Sequence, residues 1–458
     1  MADTRRATAV HELTAAQAAR LIRTRELSPV ELVESLLARA ASIDQRVQAW
    51  VHLDAERALA AARAAEGLAN SGVELPALHG VPFGAKDIYD SAVLATAAGF
   101  RPYANRVPAV DAEPISRLKR AGAILLGKMV TTQFAQADPS RTHNPWSAER
   151  TPGGSSSGSA AGVAARLVPL ALGSQTAGSI LRPAAYNGVV GFKPTYGRIS
   201  KRGVFPLAWS LDHVGVLTRC VEDCELFLTA VAGHDPADPG SQSQPAPDLE
   251  VGREPAAPRL GVVRDALQIA TPRVREHLLQ VAARFEAAGA QIEEVSLGEP
   301  LDLILAVQHV IMHTEVAAVH WQLLEQYPGS HLPKLRASIE VGRLLPGVVY
   351  LHAQRLRRRI RAAMARSLAQ VDALLLPTAT DVAPTRETTG DTSLQAPFSL
   401  VGFPSLSLPS GLLELQPDSL PHAIQLVCPA WQEARLLSVG HWCEAHLPPM
   451  PPPPSPFA

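Results

Sequence analysis

The spacing of apolar and polar positions changes near residue 70. Before it, the chain has helical rhythm. Ser28-Pro29-Val30-Glu31 supplies an N-cap, a proline at the first helical position and a capping-box glutamate, and ELVESLLARAA follows. Beyond residue 70, short apolar runs alternate with amphipathic segments: AILLG at 123–127, VPLALG at 168–173, LGVV at 260–263, ALLLP at 373–377 and AIQLV at 423–427. Such runs predict buried strands. Their alternation with helices predicts an α/β layer structure with helices on both faces of a largely buried sheet. Residues 233–258, GHDPADPGSQSQPAPDLEVGREPAAP, have a linker's composition and predict a long surface loop between two halves of one sheet. The tail from Leu447, LPPMPPPPSPFA, predicts extended or polyproline II chain. The domain reading is a helical segment over 1–70, an α/β core over 71–446 and a Pro-rich tail over 447–458.

Composition narrows the function classes. With 458 residues, 47% hydrophobic and 19% charged, the chain can bury a substantial core and is not a disordered protein. Its 42 Lys+Arg against 43 Asp+Glu leave a formal net charge of −1, so no global basic field exists to hold nucleic acid or an anionic membrane. The N-terminus MADTRRATAVHELTAAQAAR lacks the apolar core of a signal peptide. The longest charge-free stretch, Thr392 to Leu413, is broken by Pro397, Gly402, Pro404 and Pro409, which is wrong for a membrane helix. Cys220, Cys224, Cys428 and Cys443 form no CxxC pair, so a soluble cytoplasmic protein with reduced thiols is expected. Almost all positive charge is arginine; the only lysines are Lys86, Lys119, Lys128, Lys193, Lys201 and Lys334. Lysine can be brought neutral by burial and arginine cannot, so a lysine in this chain is a candidate for that use.

The chemistry concentrates in PGGSSSGSAAGVAARLVPLALGSQTAGSILRP at 152–183. Small-residue loops at 153–159 and 174–179 bracket a helix-like segment and a short strand, and let backbone amides approach a ligand closely. A flexible Gly/Ser linker would not alternate with periodic apolar segments in this way. Gly154-Ser155-Ser156-Ser157-Gly158 fits G-x-S-x-G, the nucleophile elbow, with Ser156 as nucleophile. That motif needs a strand before it, and THNPWSAERTPG is polar and proline-punctuated. A phosphate cradle would need a Gly-Lys-Ser/Thr after the loop, which is missing.

GGSSSGSAAG, then GSQTAGSILRPAAYNGVVGFKPTYGRIS, then PLAWSLDHVGVLTRCVED together resemble the amidase signature family. LHGVPFGAKDIYD at 78–90 resembles that family's lysine motif, and LKRAGAILLGK, DALLLPT and FSLVGFPSLSLPSG are further echoes. The resemblance implies a single large α/β domain, a twisted mixed sheet covered by helices on both faces. It implies a catalytic set of Lys86, Ser155 and Ser179, a cis peptide at Gly154–Ser155, and an oxyanion hole from the N–H groups of Thr176, Ala177, Gly178 and Ser179. No metal or cofactor is implied. The residues fit that chemistry. A serine hydroxyl needs an adjacent base, lysine serves only when neutral, and the apolar GVPFGAKDI can desolvate it. Ser155 would relay the proton, and Asp87 need not point the same way.

The chain departs from the amidotransferase branch, which has Asp-Thr-Gly-Gly-Ser-Ile-Arg where this one has Gln175-Thr176-Ala177-Gly178-Ser179-Ile180-Leu181-Arg182. This variant, with VTTQFA at 130–135, looks more like the stand-alone, malonamidase-like branch. There the arginine three residues after the nucleophile binds a substrate carboxylate, which makes Arg182 a candidate anchor; Ser156 is a candidate substrate contact. Ser419-Leu420-Pro421-His422 stands where the family usually has Gly-Leu-Pro, and Cys428 where it has glycine, near the family's pocket. Segment 300–370 resembles no member and is expected to form a variable helical cover for the substrate. In it, His309, His313 and Glu315 suggest helix packing before a metal, and the run Arg355, Arg357, Arg358, Arg359, Arg361 a solvated helix face. The expected function is hydrolysis of small or aryl amides, with carbamates (urethanes), ureas and esters open to the same machinery. The partner is a small-molecule substrate, a homodimer being one open arrangement. The alternative is a glutamine-dependent amidotransferase subunit supplying ammonia for tRNA-linked amidation.

Overall fold

The computed structural model describes residues 9–249, 256–415 and 418–454. Eleven strands are formed: β1 (Trp50–Leu53), β2 (Pro82–Lys86), β3 (Ile124–Met129), β4 (Leu170–Gln175), β5 (Val190–Lys193), β6 (His213–Thr218), β7 (Arg259–Val263), β8 (Gln291–Val295), β9 (Ala373–Pro377), β10 (Ser405–Leu415) and β11 (Asp418–Val427). They join in one sheet of order β1-β3-β2-β4-β6-β5-β10-β11-β9-β7-β8. β2 runs parallel to β3 and β4, and β7 parallel to β8 and β9; the other pairings are antiparallel. Every residue of β2, β3, β4, β5, β6 and β9 is buried, because helices cover both faces. The protein is therefore a single large α/β domain on a mixed sheet, and each apolar run at 123–127, 168–173, 260–263, 373–377 and 423–427 supplies one of its strands.

The first 70 residues are not helical throughout. WVHL forms β1, antiparallel to β3 at the sheet edge; four residues between two helices are too few to carry a period of their own. Ser28 does cap helix Pro29–Val47, accepting from Val30 N at 3.0 Å, but the reciprocal capping box lies one helix earlier, between Thr14 and Gln17. Residues 234–249 of the linker-like segment are irregular and tethered, with Arg198 Nη1 donating to Pro245 O at 2.6 Å. Residues 250–255 of that segment and 455–458 of the tail lie outside the described residues, and 447–454 have no regular structure apart from a turn at their start.

Helix Leu301–Gln326 is long and apolar enough by composition to cross a bilayer. Here it packs on helices Pro333–Leu344 and Gly347–Leu368 and buries Ile304, Val307, Ile311 and Val316. The arginine run is not a uniformly solvated face. Arg357 turns inward, its Nε donating to Leu400 O at 2.5 Å and its Nη2 to Ser210 O at 2.8 Å. Arg359 pairs with Glu299 at 2.7 Å.

Candidate active site

Parallel neighbours β2 and β4 end on the same side of the sheet, the side where open α/β sheets expose ligand-binding loops. The last residue of β2 is Lys86; the last two of β4 are Ser174 and Gln175, which lead into the loop of Thr176–Ser179. From beside β4, helix Ser157–Ala164 delivers residues 153–156. That helix fits because it is built of small residues: a Cβ at Gly158 would sit 2.4 Å from Ala49 O and 2.5 Å from Val130 N.

These elements bring the amine of Lys86 to 2.6 Å from Ser155 Oγ and 2.8 Å from Ser174 Oγ, with the lysine fully buried. The Gly154–Ser155 peptide is cis. Burial holds the Lys86 amine well below the ordinary lysine range, opposed only in part by the Asp212 carboxylate. Asp87 points away, forming a 3.0 Å pair with Lys128 in which both side chains are buried. Three of the six lysines, Lys86, Lys128 and Lys193, are thus fully buried, as the scarcity of lysine suggested for some of them.

Ser179 follows the loop and opens onto a cavity of about 290 Å³. The Ser156 N–H donates to Ser179 O at 3.3 Å, which joins the two serine segments. Lys86 and Ser155 are in contact, but among the described residues the Ser179 hydroxyl makes no protein hydrogen bond, so the expected Ser155–Ser179 link is not formed. Nor does any protein acceptor engage the N–H groups of Thr176, Ala177, Gly178 or Ser179 among those residues.

The loop owes its shape to residues the sequence reading left without a role. Gln175 Oε1 accepts from Ile180 N at 2.9 Å and Leu181 N at 3.0 Å, while its Nε2 donates to Ser399 Oγ at 2.9 Å. Ser399 Oγ in turn donates to Ala177 O at 2.7 Å. Thr176 Oγ1 donates to Asp212 Oδ1 at 2.6 Å. A side chain at Gly178 would have to displace Gln395, whose Oε1 lies 2.4 Å from the place a Cβ would take. The one available signal was that a buried amide at 175, just before a run of small residues, can satisfy amides that no helix or strand uses.

Two expected substrate contacts change. Ser156 is fully buried and lines neither cavity near the loop; its Oγ donates to Ser174 O and accepts from Ser174 N, both at 3.3 Å, and so fixes the helix to β4. Arg182 borders the Ser179 cavity, but its guanidinium donates to Gly154 O and Gly390 O, each at 2.6 Å, and to Thr389 Oγ1 at 3.2 Å. It is a clamp on the segment that carries Ser155. His422 and Cys428 line neither cavity; His422 Nε2 meets Ala379 O at 3.2 Å and Cys428 Sγ donates to Asp372 O at 3.2 Å.

The segment over 300–370 contributes His309, Met312, His313, Lys334 and Ser338 to the Ser179 cavity. Glu315 faces elsewhere, accepting from Ser210 Oγ at 2.6 Å and Tyr350 Oη at 2.9 Å, and no three-residue ligand group occurs among the described residues. On the other side of the loop lies a second cavity of about 510 Å³, which shares Ala135, Thr176 and Leu207 with the first.

A family model described as Amidase matches residues 31–437. The A subunit of glutamyl-tRNA(Gln) amidotransferase from Azotobacter vinelandii (strain DJ / ATCC BAA-1303) is 36% identical over 473 residues, covering 94% of this chain and 97% of that protein. Native peptide amidase from Stenotrophomonas maltophilia superposes with a TM-score of 0.84 at 29% identity, covering 96% of this chain and 98% of that one. An inhibitor-bound structure from a vestigial complex tied to the origins of an s-triazine catabolic enzyme reaches 0.88 at 30% identity, covering 96% and 100%. The expected kinship with a stand-alone branch in preference to the amidotransferase is not supported by these relatives, among which the amidotransferase protein stands at 36%. Matched along nearly all its length, the protein belongs to the amidase signature family and is an amide-hydrolysing enzyme.

Proposed function

We propose that Ser179 is the nucleophile, Ser155 the proton relay and Lys86 the base of an amidase acting on small or aryl amides. The observation that carries this reading is a fully buried lysine whose amine lies 2.6 Å from Ser155 Oγ. Ser179 Oγ attacks the carbonyl carbon, and its proton passes through Ser155 to the neutral Lys86 amine. The N–H groups of Thr176, Ala177, Gly178 and Ser179 are offered to the oxyanion. Collapse breaks the C–N bond as the proton returns through Ser155 to the departing nitrogen. Water then attacks the acyl ester, gives its proton along the same path, and the acid leaves with the Ser179 hydroxyl restored.

Carbamates, ureas and esters present the same carbonyl and differ in the leaving group, so this reading includes them. The four free cysteines suit a reducing compartment such as the cytoplasm. Separate Ser179→Ala and Lys86→Ala variants test the mechanism on a panel of primary amides, anilides, ureas and aryl carbamates. Near wild-type turnover of an activated anilide by either variant would overturn it.

A second reading has the relatives behind it: one component of an amidotransferase, releasing ammonia from glutamine for a partner. It predicts a preference for glutamine and stable co-purification with a second protein. A single-component enzyme active on anilides and indifferent to glutamine decides for the first reading.

A further inference from the structure

We infer that the 510 Å³ cavity binds the leaving side of the substrate and that the group it fits is an N-aryl ring. The inference rests on the hydrolase reading above and adds the substrate class.

Position is the first argument. The proton that releases the amine comes from Lys86 through Ser155, so the departing nitrogen lies on the lysine side of Ser179. The larger cavity is on that side: Ser174, whose hydroxyl is 2.8 Å from the Lys86 amine, is part of its wall. It adjoins the catalytic cavity at Thr176, Ala135 and Leu207.

Chemistry is the second. Phe205, Pro206, Leu207, Tyr196 and Trp209 give the cavity an apolar, largely aromatic wall. Most of the polar groups on the wall already have partners within the protein. Asp212 Oδ2 accepts from Leu207 N at 2.8 Å and Ala208 N at 3.0 Å, and its Oδ1 holds Thr176. Lys201 Nζ donates to Trp209 O at 2.6 Å and Tyr196 Oη at 3.1 Å, and Asp238 accepts from Lys201 N at 2.7 Å and Gly240 N at 2.8 Å. Arg202 is held by Asp235 at 2.9 Å. His213 Nδ1 is committed to Leu211 O at 2.6 Å; its Nε2 has no partner among the described residues but is itself buried. A wall with most of its polar groups satisfied favours a largely apolar occupant, and aromatic side chains favour a flat one. The catalytic cavity differs. Lys334, His309 and His313 line it with no carboxylate, so the polar acyl end belongs there and the ring belongs here.

The test compares acetanilide with acetamide, which differ by the ring, and measures aniline and toluene binding to Ser179→Ala enzyme by calorimetry. Ala237 sits exposed on the cavity wall, so Ala237→Trp narrows the cavity without entering the core. The variant is expected to lower the acetanilide-to-acetamide ratio of kcat/KM by about tenfold or more, the scale on which pocket shape discriminates apolar groups. In the Ser179→Ala background it is expected to weaken both aniline and toluene. An unchanged ratio, or equal ring binding with and without the tryptophan, overturns the assignment. If wild-type enzyme cleaves neither amide, the hydrolase reading fails, and the binding titration still decides the cavity by itself.

Discussion

Lys86→Met removes the amine while keeping an unbranched side chain in the same buried space. Two short contacts are lost, to Ser155 at 2.6 Å and Ser174 at 2.8 Å, each with a net worth of about 0.5–1.5 kcal/mol. Against this, folding no longer strips water from an amine, a cost visible in how far burial pulls Lys86 down from the ordinary range. The two effects oppose, and urea unfolding should show a change within about 2 kcal/mol. Catalysis has no such compensation. In the proposed mechanism Lys86 is the base, and removing a general base costs about 10²–10⁴ in rate, or about 3–6 kcal/mol at roughly 1.4 kcal/mol per decade. Lys86→Arg, which keeps a charge that cannot be shed, should be as slow. The wild-type pH profile checks the protonation state. Only the neutral amine is a base, so kcat/KM should rise as pH climbs through the depressed Lys86 pKa and stay high above it. The linkage has the same sign: a lowered folded pKa means the unfolded chain binds more protons between the two values, so stability also rises with pH there. A methionine variant within threefold of wild type, or a rising limb near the ordinary lysine value of about 10.4, refutes the reasoning.

Further predictions follow from the loop and its supports. Gln175→Ala strands the buried amides of Ile180 and Leu181; it should cost about 2–4 kcal/mol in urea unfolding and lower kcat more than it changes KM. Gly178→Ala drives a Cβ toward Gln395 Oε1; if the 176–179 amides form the proposed oxyanion hole, displacing one donor should cut kcat by about 10²–10³ while the unfolding midpoint moves little. Lys128→Met leaves the Asp87 carboxylate buried and unpaired and should destabilise by about 3–5 kcal/mol. Burial already raises the Asp87 pKa despite Lys128, so the folded state binds more protons than the unfolded chain and the deficit should grow as pH rises through the carboxylate range, read by urea midpoints across pH.

Local pattern carried much of this protein. Five apolar runs marked five strands because a strand buried on both faces has no polar positions to hide among. The serine-glycine loops at 153–159 and 174–179 were legible because closely packed backbone excludes side chains, and the scarce lysines because lysine is the cation that burial can neutralise. Other features had no local trace. Ser156 and Ser155 are adjacent, chemically identical and both buried, and only the packing of helix Ser157–Ala164 on β4 sends one hydroxyl to Ser174 and the other to Lys86. Arg182 could have faced a ligand as well as a carbonyl; the loop at 389–390, two hundred residues away, determines that it holds Gly154. Gln175 orders its loop through Ser399, also remote in sequence. Residue identity and spacing thus determine which groups are available and which elements carry them. Which of several like groups meets which partner is decided by long-range packing, since a hydrogen bond between distant residues exists only once the sheet has brought their strands together.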